Sequence, residues 1–274
     1  FLGMGAHGNL PLNIRGEDAK GVVSGVKFLR DFNLGRKMEI GERVVVIGGG
    51  NVAIDGARSA LRLGAKDVSI LYRRSRQEMP ASDEEIEAAL AEGVKISYLA
   101  APVEILLQEE GKVRGLRAIR MRLGPPDASG RSRPVPIEGS EFYIAADMVI
   151  VAIGQVPEIS FLEASGVKVN KGGTVEVDPL TLATSRQGVF AGGDIQTGPW
   201  IAIGAVEAGK RAAESIDRYL RGEDLRESRQ LREKAKQWDL SGIPLGQETK
   251  ARQRMQHIPL ARRKAGFEEV ELGF

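Results

Sequence analysis

Cysteine is absent from the 274 residues. That excludes, within this chain, disulfide staples, thiolate metal sites, iron–sulfur ligation and a redox-active cysteine pair. Histidine is scarce: His7 and His257 stand far apart with no partner pattern around either, so neither reads as a metal ligand or a general base. Charge of one sign is also lacking. Lys and Arg number 39 against 37 Asp and Glu, a formal net charge of +2, too small to point to a nucleic-acid partner although the end of the chain is locally basic. No apolar run reaches the length of a membrane span and no secretory pattern opens the sequence, so no membrane association is expected and the cytoplasm is the default location. Glycine, by contrast, is plentiful at 34. Many glycines fall at strand–helix junctions, where a backbone must come close to a neighbour or a ligand. The length accommodates one or two domains.

Hydrophobic periodicity organises the chain. Residues 1–40 read as a connector with a short helical pattern at Val22–Phe32. Val44-Val-Val-Ile47 is a continuous apolar run ending in Gly48-Gly-Gly50, as in a buried parallel strand that meets a loop. Ala53, Ile54, Ala57, Ala60 and Leu61 then share one helical face, and Val68–Tyr72 forms a second strand. Strand, helix and strand in about thirty residues make one βαβ unit. Ser82 and Glu85 form a capping box for a helix that runs to Gly93. Val103–Leu107, Val113–Leu123 and Glu141–Ile144 read as a small β insertion with a loop at Gly124–Glu138. Met148–Ala152 is another buried strand, closed by Gly154, and a hairpin turns at Lys171-Gly-Gly173. A helix over about Ile203–Leu220 has Ala205, Ala208, Ala212 and Ile216 on its inner face. Beyond Arg221 the pattern becomes a charged, weakly helical tail, with Arg226, Arg229, Arg232, Lys234 and Lys236 expected on a solvated face.

Gly48-Gly-Gly50-Asn51-Val52-Ala53 fits the dinucleotide fingerprint with alanine in the third small position. Gly48 allows the tight turn, Gly50 lets backbone approach a pyrophosphate, and Ala53 lets helix and strand pack closely. The helix start at Asn51 and Val52 offers amide N–H groups and a positive dipole end to phosphate. A Gly-rich turn that serves only the fold is the alternative, and the complete βαβ context favours the nucleotide. The second strand runs into Tyr72-Arg73-Arg74-Ser75-Arg76, with no carboxylate until Glu78. An NAD site places an acid there for the ribose 2′-hydroxyl, whereas guanidinium groups suit a 2′-phosphate. Arg73 and Arg74 therefore point to NADPH, against the alternative of a solvated basic turn.

Val44–Asp55, Tyr72–Ala81 and Val189-Phe-Ala-Gly-Gly-Asp194, in this order, resemble the small (beta) subunit family of NADPH-dependent glutamate synthase. The resemblance covers about residues 1–220. It implies a FAD domain interrupted by an NADPH domain, with Gly193 and Asp194 in the second flavin motif and Asp194 accepting hydrogen bonds from the FAD ribityl chain. It also implies that backbone amides at Ile201 and Ala202 reach the flavin pyrimidine edge. A helix cap is the competing reading of Asp194, and Trp200 reads either as a cover for the flavin or as a side chain packed beside Pro199.

The fold class expected is α/β. A Rossmann-type NADPH domain at 41–153 carries a small β insertion, and an incomplete FAD-domain portion of the two-dinucleotide-binding-domain flavoprotein fold surrounds it. In that scheme 1–40 is the exit portion of the FAD domain with its connector, 154–220 its C-terminal portion, and 221–274 a tail. Cofactor contacts are expected at Gly48, Gly50, Asn51, Val52, Ala53, Arg73, Arg74, Gly154, Gly193, Asp194, Ile201 and Ala202, with no catalytic side chain and no metal. The family's first flavin motif and its cysteine-rich segment have no counterpart here, so the chain reads as a fragment. The expected activity is hydride transfer from NADPH to FAD, with electrons passing to a glutamate synthase large subunit or a ferredoxin-like iron–sulfur partner. A nucleotide-binding or docking module without redox activity of its own has the same sequence signals. Without the first flavin motif, several charge-assisted hydrogen bonds to the FAD pyrophosphate are missing, each worth roughly 1.5–3 kcal/mol. The chain purified alone should therefore carry little FAD, and a stoichiometric flavin absorption band would contradict this.

Overall fold

The computed structural model describes residues 1–127, 130–162, 164–230 and 253–274. Strands β1 (Gly8–Asn9) and β2 (Val22–Ser24) precede helix α1 (Gly25–Asn33). β3 (Arg43–Gly48), α2 (Asn51–Arg62), β4 (Asp67–Tyr72), α3 (Asp83–Glu92) and β5 (Lys95–Tyr98) follow. Next come β6 (Ala100–Leu107), β7 (Val113–Pro126), β8 (Ser132–Ala145), β9 (Met148–Ala152) and β10 (Gln155–Val156). Helices α4 (Asp194–Thr197), α5 (Ala202–Arg221) and α6 (Leu260–Ala265) complete the order. Two compact units share this chain: Pro11–Ile153 with Arg254–Phe274, and Phe1–Leu10 with the described part of Gly154–Gln253.

The first unit is built on a five-stranded sheet of order β2-β9-β3-β4-β5, parallel throughout. Alternation along β3 decides its two faces. Val44 and Val46 pack with Ile54 and Ala57 of α2, Phe28 of α1 and Ile86 of α3. Val45 and Ile47 pack on the other side with Ile105 and Leu116 of the antiparallel sheet β6-β7-β8. Both faces of β3 are covered, which is why its sequence is an unbroken apolar run.

Three expectations change here. The boundary of this unit falls at Pro11 and not at residue 41, because β2 pairs with β9 through Val22↔Val149 and α1 packs Phe28 into the helix-side core. The loop expected at Gly124–Glu138 is mostly strand: β7 and β8 run on as a hairpin, with Arg122↔Val135 and Leu123↔Pro134 in register. Pro134 and Pro136 fit because β8 is an edge strand, where a missing N–H costs no ladder bond. The end of the chain is no free tail. Ile258 is buried, its N–H bonds the Val270 carbonyl, and Phe267 lies on Phe32 with ring centroids 4.3 Å apart.

A buried ion cluster joins α2 to α3. Glu92, with a side chain 1% exposed, accepts from Arg58 at 2.7 and 3.0 Å and from Arg62 at 3.0 Å. The same Arg62 guanidinium stands 5.8 Å from the Phe267 ring centroid, so the cluster also meets the C-terminal segment.

In the second unit β1 pairs antiparallel with β10, and Leu162, Val167, Val175, Ala191 and Ile195 form a small core. Ala208, Ala212 and Ser215 are the buried face of α5, whereas Ala205 is exposed. Arg226 and Arg229 do not lie on a solvated helix. Arg226 pairs with Asp178, and Arg229, its side chain 7% exposed, donates to Ser215 Oγ at 2.7 Å and to the Arg211 carbonyl. Arg232, Lys234 and Lys236 lie outside the described residues. Among the described residues no helix is long and apolar enough to cross a membrane.

Burial alone would raise the Glu92 carboxyl, but Arg58 and Arg62 outweigh it and hold it below the usual glutamate range. A depressed folded value means this contribution is complete above the ordinary value of 4.5 and is lost as pH falls through the lower folded one. Glu92→Gln leaves the buried Arg62 guanidinium without its carboxylate partner and Arg58 with Glu85 alone. Urea unfolding at neutral pH should show a loss of about 3–5 kcal/mol, shrinking under acid.

Candidate nucleotide site

The expected fingerprint folds as a turn whose three glycines answer to different constraints. Gly48 has φ +146°, and a Cβ there would run into the Ala152 carbonyl of the neighbouring strand. A Cβ on Gly49 would come within 2.5 Å of the Tyr72 ring at the end of β4. Gly50 differs: a Cβ would meet nothing closer than Pro80 Cγ at 4.0 Å. Internal packing therefore accounts for the first two glycines and leaves the third facing open space.

Gly50 is the N-cap of α2. Ala53 is fully buried against the sheet, Val52 is half-buried near Gly25, and Asn51 is exposed. Its neighbours show what is unusual about this helix start. Ser24 caps α1 by accepting from the Lys27 N–H, and Ser82 caps α3 by accepting from the Glu85 N–H. α3 also has Asp83, Glu84 and Glu85 in its first turn. The start of α2 has no side-chain cap and no acidic residue. An uncapped helix start presents unsatisfied N–H groups and the positive end of the dipole, the arrangement that suits an anion.

The segment after β4 folds back beside this turn. Tyr72 donates its hydroxyl to the Glu78 carbonyl at 2.6 Å, the Ala81 N–H bonds the Gly49 carbonyl at 3.1 Å, and the Ser82 N–H reaches Asn51 Oδ1 at 3.3 Å. The sequence assigns Ser82 to a helix cap and Tyr72 and Ala81 to a family motif, and gives none of them a place beside the turn. A buried aromatic at a strand end next to a Gly turn was the signal available for Tyr72.

The two expected arginines part company. Along the extended chain Tyr72 is buried, Arg73 exposed and Arg74 buried at 5%. Arg74 donates Nη2 to Asp127 at 2.6 Å and Nε to the Ser132 carbonyl at 2.8 Å. Its guanidinium is committed to the β7–β8 hairpin, which corrects the expectation that it faces a phosphate beside Arg73. Arg76 holds Asp83 at 2.5 Å, in an open depression that also carries Glu87, a poor place for an anion. Glu78 is turned away into a cap, accepting from Ser75 N–H at 3.1 Å and Ser75 Oγ at 2.5 Å, and the Ser75 bond holds its carboxyl below the usual range.

The remaining expected residues lie in the second unit. Gly154 has φ +143°, its carbonyl accepts from the Leu10 N–H, and a Cβ would stand 2.7 Å from Leu10 Cδ1, so chain packing already requires glycine there. Gly193, at φ +75°, caps the short α4, and Asp194 accepts from the Trp200 N–H at 3.3 Å. Ile201 is the N-cap of α5, whose start again lacks a side-chain cap and an acidic residue. Trp200, Ile201, Ile203 and Val206 expose their apolar surface around that helix start.

The sequence profile described as pyridine nucleotide-disulphide oxidoreductase matches residues 1–209. The beta subunit of an NADP(+)-dependent formate dehydrogenase from Moorella thermoacetica is 46% identical over 100% of this chain and 40% of its own length. The small chain of a glutamate synthase [NADPH] from Azospirillum brasilense is 44% identical over 65% of this chain and 37% of its own. This chain thus spans less than half the length of either relative. Among solved structures, the thioredoxin reductase of T. acidophilum superposes with a TM-score of 0.58 at 26% identity, covering 80% of this chain and 64% of that one.

The glycines give a direct test of which positions serve the fold. Gly48→Ala combines positive φ with a backbone collision and should cost about 2 kcal/mol or more in denaturant unfolding. Gly50, at φ −90°, accepts alanine without strain, so Gly50→Ala should stay within about 1 kcal/mol of the parent. Comparable losses in both variants would mean that Gly50, too, is held by packing.

Proposed function

The chain belongs to the pyridine nucleotide-disulphide oxidoreductase family, and on that premise we propose that it is the NADPH-binding portion of a flavin-dependent oxidoreductase subunit. The observation that carries this reading is the uncapped start of α2 behind Gly50, a glycine that nothing inside the fold requires. There the amides of Asn51 and Val52 would hold the pyrophosphate, with Gly50 allowing close approach and Ala53 seating the helix on the sheet. Arg73, exposed at the end of β4, takes the 2′-phosphate through its planar fork.

The second unit fits a flavin in the same way. Gly193 allows backbone approach, the Asp194 carboxylate offers acceptor oxygens to a polyol, and the open start of α5 turns the Ile201 and Ala202 amides towards an electron-rich ring edge. The exposed apolar group around Trp200 is suited to an aromatic ring face. We assign no cofactor contact to Gly154, whose glycine is explained by Leu10. With both cofactors bound, NADPH would supply a hydride, two electrons with a proton, and FAD would take up both. The chain's own residues orient and solvate by fixed dipoles, and none is needed as acid or base.

The onward acceptor is proposed only by class: an iron–sulfur partner able to take electrons singly. A glutamate synthase large subunit is one member of that class, and the name of the formate dehydrogenase relative supports another equally well. Titration of the chain with NADPH and NADH should show NADPH bound at least about tenfold more tightly, the worth of one charge-assisted contact. Arg73→Ala should remove most of that preference, and Gly50→Ala should weaken both nucleotides while leaving stability nearly unchanged. Equal affinities in the unaltered chain would overturn the assignment.

A further inference from the structure

We propose that Arg74 is a positioning residue for nucleotide selectivity, acting through a clamp on the tip of the β7–β8 hairpin and not through contact with the ligand. The inference rests on the reading of Arg73 as the group that takes the 2′-phosphate. Arg74 follows Arg73 directly, yet its side chain is 6% exposed and faces the opposite way. Both ends of the clamp are specific. Nη2 pairs with the Asp127 carboxylate at 2.6 Å, and Nε donates to the Ser132 carbonyl at 2.8 Å, so one guanidinium grips both sides of the hairpin tip. The tip is closed by its own bonds, Asp127 N–H to the Arg131 carbonyl and Gly130 N–H to the Asp127 carbonyl.

The backbone of Arg74 is fixed as well. Its carbonyl accepts from Leu99 N–H at 3.1 Å, and the Leu99 carbonyl accepts from Met121 N–H at 2.8 Å. The end of β4, the turn into β6 and the middle of β7 are thus joined at one residue. Held in this way, the hairpin tip is tied to the residue that directly follows Arg73. Burial pushes the Tyr72 hydroxyl up, and the positive charges of Arg74 and Arg131 act against that. A buried pair of this kind adds no free charge to the phosphate site. What it supplies is a fixed backbone for Arg73.

Asp127 allows the clamp to be separated from direct binding. Dissociation constants for NADPH and NADH are measured by titration on the full chain and on Arg73→Ala, Arg74→Ala, Asp127→Asn and the Arg74→Ala/Asp127→Asn double variant. If Arg74 bound the phosphate, removing the nearby negative charge of Asp127 would tighten NADPH binding or leave it unchanged. The clamp requires the reverse. Asp127→Asn should weaken NADPH about fivefold or more with NADH within about twofold, and the double variant should be no weaker than Arg74→Ala. Unchanged or tighter NADPH binding by Asp127→Asn, while Arg73→Ala abolishes the preference, overturns the clamp and leaves the site reading standing. A parallel fall for NADH reduces Arg74 to a merely structural role and also overturns the proposal. A preference that survives Arg73→Ala overturns the site reading itself, and the clamp with it.

Discussion

The rest of the first unit depends on the absence of two Cβ atoms. At Gly48 the last residue of β3 lies against the Ala152 carbonyl of β9, and at Gly49 the turn lies against the Tyr72 ring at the end of β4. Those contacts draw the ends of three adjacent strands to one level and deliver the chain into α2 above them. Because Gly49 sits on Tyr72, its carbonyl is available to the Ala81 N–H, and the segment running to α3 is fastened beside the turn. A larger residue at either position would lift the turn, detach that segment and move the helix start. The nucleotide reading is thus a consequence of how closely a central strand can finish against its neighbours.

Much of this was legible because the periods are clean. The unbroken apolar run of β3, the 3.6-residue spacing in α2 and the short β4 each satisfy one packing rule over enough residues to stand out. What escaped was decided by distant partners. β2 has only three residues and exists because β9 offers it a parallel edge. Prolines at 134 and 136 looked like loop and are edge strand, since their face of the ladder needs no donor. The division between Arg73 and Arg74 was present in the alternation from buried Tyr72 to exposed Arg73 to buried Arg74, yet the carboxylate that claims Arg74 lies over fifty positions further on. No local pattern could name Asp127.

The family's name includes disulphide chemistry, and the sequence has no cysteine with which to perform it. Members that share a plan of two nucleotide sites differ in what stands beyond them, so the same turn and helix start can feed unrelated acceptors. On the proposed reading, the uncapped start of α2 concerns only how a dinucleotide would be held. The exposed apolar start of α5 would, on the same reading, serve a second ligand with its own requirements.

The place of β9 between β2 and β3 has a consequence for the birth of the protein. Strand β3 is synthesised about a hundred residues before the neighbour that completes it. At a ribosomal pace of about 5–20 residues per second, its apolar edge waits roughly 5–20 s for Val149 and Ile150 to emerge. β2 waits longer still, since β9 is the only strand it pairs with among the described residues. Phe32 and Arg62 then stay uncovered until Phe267 has been made. The nascent sheet is therefore open on one side for most of its synthesis, and that interval is when trigger-factor-like holdases have most to protect.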